Sequence, residues 1–212
     1  DPYMYDERDE ITSHTLHPYQ QRAFEKISAE IGKNKERIFL LHGVTGSGKT
    51  EVYLRVIEEA LRLGKQALVM VPEISLTVNI VKMFKQRFDS DVALFHSGLS
   101  GGEKYDEWRK IRKGEIKVVI GARSAVFVPL ENIGVIIIDE EHETSYKQEE
   151  MPRYHAVEIA KLRAKNHGAV LVLGSATPSL ESYARAVKNV YTLLELPVRA
   201  TDAMMPTTQI VN

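Results

Sequence analysis

The run Ile38-Phe39-Leu40-Leu41-His42-Gly43-Val44-Thr45-Gly46-Ser47-Gly48-Lys49-Thr50 joins a short apolar stretch to the pattern Gly-x-x-x-x-Gly-Lys-Ser/Thr at residues 43–50. Each part of that pattern has a physical reason. Gly43, Gly46 and Gly48 let the backbone curl until its N–H groups, those of Val44, Thr45 and Ser47 included, point inward at phosphate oxygens. A Cβ at the glycines would obstruct that approach. Lys49 reaches the β- and γ-phosphates of a nucleoside triphosphate, and the Thr50 hydroxyl is placed to ligate Mg2+. The pattern of Lys49–Leu63 is that of an amphipathic helix, whose N-terminus favours anions. Strand, loop and helix agree on a nucleotide-binding site.

Working outward, apolar runs suited to strands recur at Ala67–Val71, Val92–Phe95, Val118–Ile120, Val135–Ile138, Val170–Leu173 and Tyr191–Leu194. Helical spacing falls at Leu16–Ile31, Ser75–Phe88, Glu103–Lys113, His155–Asn166 and Leu180–Lys188. Continuous β-branched runs such as Val135-Ile136-Ile137-Ile138 suit strands covered on both faces. The expected fold is therefore α/β, a mostly parallel central sheet of about seven strands with helices on both faces. Sites in such folds cluster at the carboxyl ends of the strands.

Composition narrows the function classes. At 212 residues the chain is long enough to bury one full core, and its 43% hydrophobic and 27% charged content is that of a globular domain. A net charge of −1 gives no global pull on nucleic acid or anionic lipid, so any DNA contact must come from local basic groups. The absence of cysteine rules out disulfides and Cys-type zinc sites, and with a nucleotide site it fits a reducing cytoplasm. No stretch approaches the ~20 apolar residues that span a bilayer, so no membrane partner is expected. The polar ends read as linkers, residues 1–15 and 197–212, around one domain at 16–196. The chain reads as a segment of a longer protein.

A second anchor, Asp139-Glu140-Glu141-His142, follows the apolar strand at 135–138. A carboxylate at a strand tip beside a phosphate loop is where Mg2+ needs its acidic partner, so Asp139 is the expected metal residue and Glu140 the expected base for an attacking water. No Asn-Lys-x-Asp base-recognition motif occurs, which disfavours a GTPase. A third anchor, Gly174-Ser175-Ala176-Thr177-Pro178, also ends an apolar strand. Its hydroxyls suit hydrogen bonds to His142 or Glu140; taken alone, helix capping is the favoured reading.

The three anchors in this order resemble a superfamily 2 helicase. Further segments make the resemblance closer: Pro72-Glu73-Ile74-Ser75-Leu76-Thr77, Gly121-Ala122-Arg123-Ser124-Ala125-Val126-Phe127, Ser145-Tyr146-Lys147-Gln148 and Arg153-Tyr154-His155-Ala156. Together they are similar to the primosomal replication-restart helicases across residues 16 to 196. The resemblance implies a RecA-like P-loop domain that uses ATP with Mg2+. It implies 3′-to-5′ DNA unwinding at stalled forks, with single-stranded and forked DNA and the replication-restart and single-strand-binding proteins as partners.

It also implies roles. Gln20 stands where related helicases read adenine; without the family, an exposed helix-start glutamine is the favoured reading. His142, Ser175 and Thr177 would couple the nucleotide state to the rest of the domain. Pro72, Ser75, Arg123, Ser124, Tyr146, Lys147 and Arg153 would face DNA, Tyr146 from an aromatic-rich loop. A surface salt bridge is the alternative for Arg123, and starting the next helix is the alternative for Tyr154 and His155. Trp108 is expected in the core. The family's second lobe, with its arginine fingers and zinc-binding cysteines, is absent, so zinc belongs only to that missing region. Two alternatives remain: another superfamily 2 translocase, and a nucleotide-binding module that regulates a partner without doing work.

Overall fold

The computed structural model describes residues 15–200; most of the two expected linkers, residues 1–14 and 201–212, lies outside the described residues. The elements run α1 (Pro18–Ser28), β1 (Arg37–Gly43), α2 (Lys49–Arg62), β2 (Gln66–Met70), α3 (Val78–Phe88), β3 (Val92–Phe95), α4 (Gly101–Arg112) and β4 (Val118–Gly121). There follow β5 (Ile133–Ile138), β6 (Lys147–Gln148), β7 (Tyr154–His155), α5 (Ala156–His167), β8 (Val170–Ser175), α6 (Leu180–Val187) and β9 (Thr192–Leu196). All seven expected strands form one sheet in the order β3-β4-β2-β5-β8-β1-β9, with every pairing parallel.

Capping side chains set the starts of α1, α3, α4 and α6. His17 caps α1 in a capping box with Gln20, and Pro18 fills the first turn, where its missing N–H costs nothing. The third helix starts later than its periodicity suggests. Glu73–Ser75 forms a separate 3₁₀ turn, and the Thr77 hydroxyl then accepts from the Ile80 N–H to open α3.

The strands lack alternation because both faces are covered. In β5, Val135 and Ile137 pack toward α1, α2 and α3, beside Ile27, Ile57 and Phe84. Ile136 and Ile138 pack on the opposite face with Ile111, Ala160 and Ala164. Each such isoleucine contributes about 1.5–3 kcal/mol by leaving water.

Two expectations need correction here. Trp108 is only partly buried on α4, with the Arg112 guanidinium 5.3 Å from its ring centroid, so it shields the surface rather than filling the core. The small antiparallel pair β6–β7 was not foreseen, because two-residue strands carry no periodicity; Tyr154 and His155 form its second strand before α5 begins. The sheet order has one consequence for function. It places β8 between β5 and β1, so the strand tips bearing the three sequence anchors lie side by side.

Candidate functional site

The loop after β1 is built as an anion cradle. Gly46 and Gly48 take φ of 79° and 76°, the left-handed region that favours glycine. Gly48 is also the N-cap of α2 and supplies no side-chain cap, which leaves the first amides of that helix for a ligand. A Cβ on Gly43 would lie 2.5 Å from the Ser47 hydroxyl oxygen and 3.2 Å from Cγ of Lys49. That hydroxyl is buried with no hydrogen-bond partner. A phosphate-bearing ligand fits this geometry.

Lys49 donates to the Gly43 carbonyl at 3.1 Å and lies 3.6 Å from the Glu140 carboxylate. Glu140 sits just past β5 with φ of 45°, a conformation that costs a non-glycine residue energy and is characteristic of functional sites. Its other oxygen is 3.7 Å from Nδ1 of His142. The same Nδ1 is 2.8 Å from the Ser175 hydroxyl, and Nε2 is 3.3 Å from the Thr177 hydroxyl. The structure thus brings together Lys49, Glu140, His142, Ser175 and Thr177 in one continuous polar chain.

Asp139 is largely buried, and its Oδ1 accepts from the Tyr53 hydroxyl at 2.9 Å. Burial raises its carboxyl above the ordinary range; the Tyr53 hydrogen bond and the Lys49 charge oppose this, and the Glu140 charge adds to it. Among the described residues no three His, Asp or Glu side chains converge as a metal cage. One carboxylate and a Thr50 hydroxyl suit Mg2+, which keeps most of its waters and takes its remaining ligands from phosphates.

The raised native value has a sign. Between the ordinary carboxyl pKa and the raised one, the native state holds more protons than the unfolded state, so stability falls as pH rises. Asp139→Asn keeps the acceptor for Tyr53 and removes the buried charge. The substitution is expected to raise Tm by about 2–4 °C near pH 7 for each ~1 kcal/mol gained, with the gap to wild type closing near pH 4. Thermal melts across that range test this, and an Asn variant less stable than wild type at neutral pH would contradict it.

Gln20 is 5% exposed, so the exposed-glutamine reading does not hold. Its Nε2 donates to the Ser47 carbonyl at 2.9 Å while its Oε1 accepts from the His17 N–H at 2.8 Å. The amide therefore ties α1 to the phosphate loop. Beyond β9, the Ala200 N–H donates to the Gly46 carbonyl at 2.9 Å, so the last described residue lies against that loop.

The expected DNA-facing residues divide. Ser124, Lys147 and Arg153 are exposed and Ser75 is half-buried. Arg123 makes no ion pair among the described residues; it donates to the carbonyls of Lys147 at 2.8 Å and Ser145 at 3.3 Å and so braces the β6–β7 pair. Two residues are corrected. Pro72 is buried beneath the loop that exposes Ile74. Tyr146 is fully buried, its hydroxyl donating to the Asp139 carbonyl at 2.7 Å, so its ring has no face to offer a base.

Sequence reasoning missed Glu141. Its buried carboxylate accepts from the Ser179 N–H at 2.7 Å and from the Ser182 hydroxyl at 2.9 Å, clamping the start of α6 to the second anchor. Tyr53 was missed as well, although its spacing from Lys49 places it one helical turn onward on the buried face.

A phosphate cradle at β1, a buried carboxylate at β5 and a hydroxyl-bearing turn on β8 between them define a P-loop nucleotide-binding domain. The chain belongs to the DEAD/DEAH box helicase family, which it matches over residues 17–186, and its own box reads Asp139-Glu140-Glu141-His142. It is 61% identical over 91% of its length to the replication restart protein PriA of Bacillus subtilis, covering 24% of that protein. It is 48% identical over 93% of its length to PriA of Chlamydia pneumoniae, covering 26%. The chain thus spans about a quarter of the length of these relatives. Among solved structures, RecG bound to a three-way DNA junction matches with a TM-score of 0.63 and 28% identity, covering 93% of this chain and 25% of RecG.

Proposed function

We propose that this chain is the ATP-binding motor lobe of a 3′-to-5′ DNA helicase that restarts stalled replication forks. The observation that carries the reading is the polar chain from Lys49 through Glu140 and His142 to Ser175 and Thr177, which ties a hydrolytic centre to a second strand-end loop. In this reading Thr50 and Asp139 hold Mg2+, which would offset charge on the phosphates. Lys49 leaves Glu140 for the β- and γ-phosphates, and the freed Glu140 orients and deprotonates the attacking water. His142 then reports the loss of the γ-phosphate to Ser175 and Thr177. Gln20, released from Ser47, offers adenine a donor and an acceptor together.

Ser75, Ser124, Lys147 and Arg153 would meet the sugar-phosphate backbone, with Arg123 holding the β6–β7 pair in place. An open cavity of about 480 Å³ lined by Lys147, Gln148, Glu149, Arg153, Tyr154 and His155 lies there; Glu149 pairs with Lys147 at 3.3 Å, and a backbone phosphate would take its place. Identity of 61% to the replication restart protein PriA against 28% to RecG favours the restart reading. Single-stranded and forked DNA, restart and single-strand-binding proteins, and a zinc-bearing second lobe belong to the longer protein in this account.

An arginine finger supplied from another lobe is typically worth ~10³–10⁵ in rate. The chain alone is therefore expected to bind ATP and ADP, hydrolyse ATP very slowly and unwind nothing. Calorimetry with each nucleotide and a phosphate-release assay test this. DNA-stimulated turnover by the chain alone, at the rate of the longer protein, would refute it.

A further inference from the structure

Tyr53 lies on α2 one turn beyond Lys49, with 3% of its surface exposed, and it ends among polar groups rather than in the apolar core. Its hydroxyl reaches between the tips of β5 and β8 to donate to Oδ1 of Asp139 at 2.9 Å. The room it occupies is specified by a second residue. A Cβ on Gly174 would overlap the Tyr53 hydroxyl and lie 3.3 Å from Oδ1 of Asp139. Gly174 has no positive φ to require glycine, so the close approach of this phenol accounts for its lack of a side chain. The backbone of Asp139 is held separately, by the Tyr146 hydroxyl on its carbonyl and by its own N–H donating to the Met70 carbonyl at 2.9 Å. Those two contacts fix the main chain. At the carboxylate itself the Glu140 N–H supplies a local backbone hydrogen bond, and the Tyr53 hydroxyl adds a side-chain donor from another element.

We propose that Tyr53 is a positioning residue, with Gly174 as its seat, whose hydroxyl fixes the orientation of the Asp139 carboxylate and thereby sets how strongly Mg2+ tightens nucleotide binding. The inference rests on Asp139 being the metal-side carboxylate. Tyr53 is not assigned any contact with nucleotide, so it acts through Asp139 alone. An aspartate fixed in advance loses less rotational freedom when the hydrated ion and phosphates arrive.

The test is calorimetric titration of the chain with ATP in Mg2+ and again in EDTA, which separates the metal-dependent part of affinity from the rest. Tyr53→Phe is nearly isosteric. It is expected to reduce the Mg2+-dependent gain in affinity by about fivefold or more, the scale of one hydrogen bond to a charged group, while affinity in EDTA stays within about twofold. Gly174→Ala reaches the same contact by another route. It should lower Tm and reduce the same gain, and adding Tyr53→Phe to it should recover part of the lost Tm, because the overlapping oxygen is gone while the ring carbon 2.9 Å from the new Cβ remains. An undiminished Mg2+ effect in Tyr53→Phe would overturn the proposal, as would equal losses with and without the metal. If Tyr53→Phe does not fold, Gly174→Ala decides in its place by the same two titrations. A wild-type chain whose ATP affinity ignores Mg2+ would instead overturn the role of Asp139, and this inference with it.

Discussion

Glu140→Gln is expected to leave ATP affinity within a few-fold of wild type and to lower hydrolysis by the longer protein about 10²–10⁴-fold, the span of a positioned general base. The geometry explains why the two effects separate. Glu140 stands between the Lys49 ammonium at 3.6 Å and the His142 ring at 3.7 Å, in a left-handed backbone conformation that aims it away from β5. Glutamine has the same shape and can still hydrogen-bond toward His142, but it cannot take a proton from water. Losing the negative charge also frees Lys49 from its resting partner, so nucleotide binding should not weaken. Phosphate release measured at saturating ATP, beside an ATP binding isotherm, checks both halves. Unchanged turnover would remove Glu140 from the base role.

Lys49→Ala is expected to damage both properties. Lys49 is well buried, its ammonium shared between a carbonyl and a carboxylate that ATP would replace with two phosphates. Losing a charge-assisted contact of this kind costs roughly 1.5–3 kcal/mol, which is a ~10–100-fold weaker complex. Losing a fixed cation where charge develops in the transition state costs a further ~10²–10³ in rate. Glu140 also loses its neutralising partner and would repel the incoming phosphates. The two variants thus predict different outcomes for ATP affinity, retention in one and loss in the other, from two residues 3.6 Å apart, which a general loss of folding could not produce. Equal affinity for ATP in Lys49→Ala and wild type would contradict the assignment of the loop.

Much of the fold was legible because it rests on local rules. Runs such as Val135–Ile138 announced doubly covered strands, and the glycine spacing at 43–48 announced the cradle. The neighbour relations were not legible, because pairing β8 between β5 and β1 joins segments far apart in sequence. That pairing is what brings His142 within 2.8 Å of Ser175, a contact the hydroxyls of the third anchor suggested beside helix capping as an alternative.

The errors share a cause. Tyr146 beside Lys147 and Gln148 looked like part of an exposed aromatic loop, yet the sheet's second face needed a large side chain, and the phenol found two main-chain acceptors there. Pro72 was placed toward DNA by the resemblance of its whole segment, which does not fix the burial of one side chain. Glu141 and Tyr53 were overlooked because a glutamate in an acidic run and a tyrosine on a helix look ordinary until their partners, Ser179, Ser182 and Asp139, are placed beside them. Buried polar contacts depend on the tertiary fold, and sequence spacing does not encode them.

The central claim is that the site at Lys49, Asp139 and Glu140 hydrolyses ATP in response to DNA. The most direct measurement is the steady-state ATPase rate of the longer protein with and without forked DNA, alongside its Glu140→Gln variant. The account predicts a large stimulation in the wild type and none in the variant. A wild-type rate indifferent to single-stranded and forked DNA alike would contradict it and leave a nucleotide-binding module that does no work on DNA.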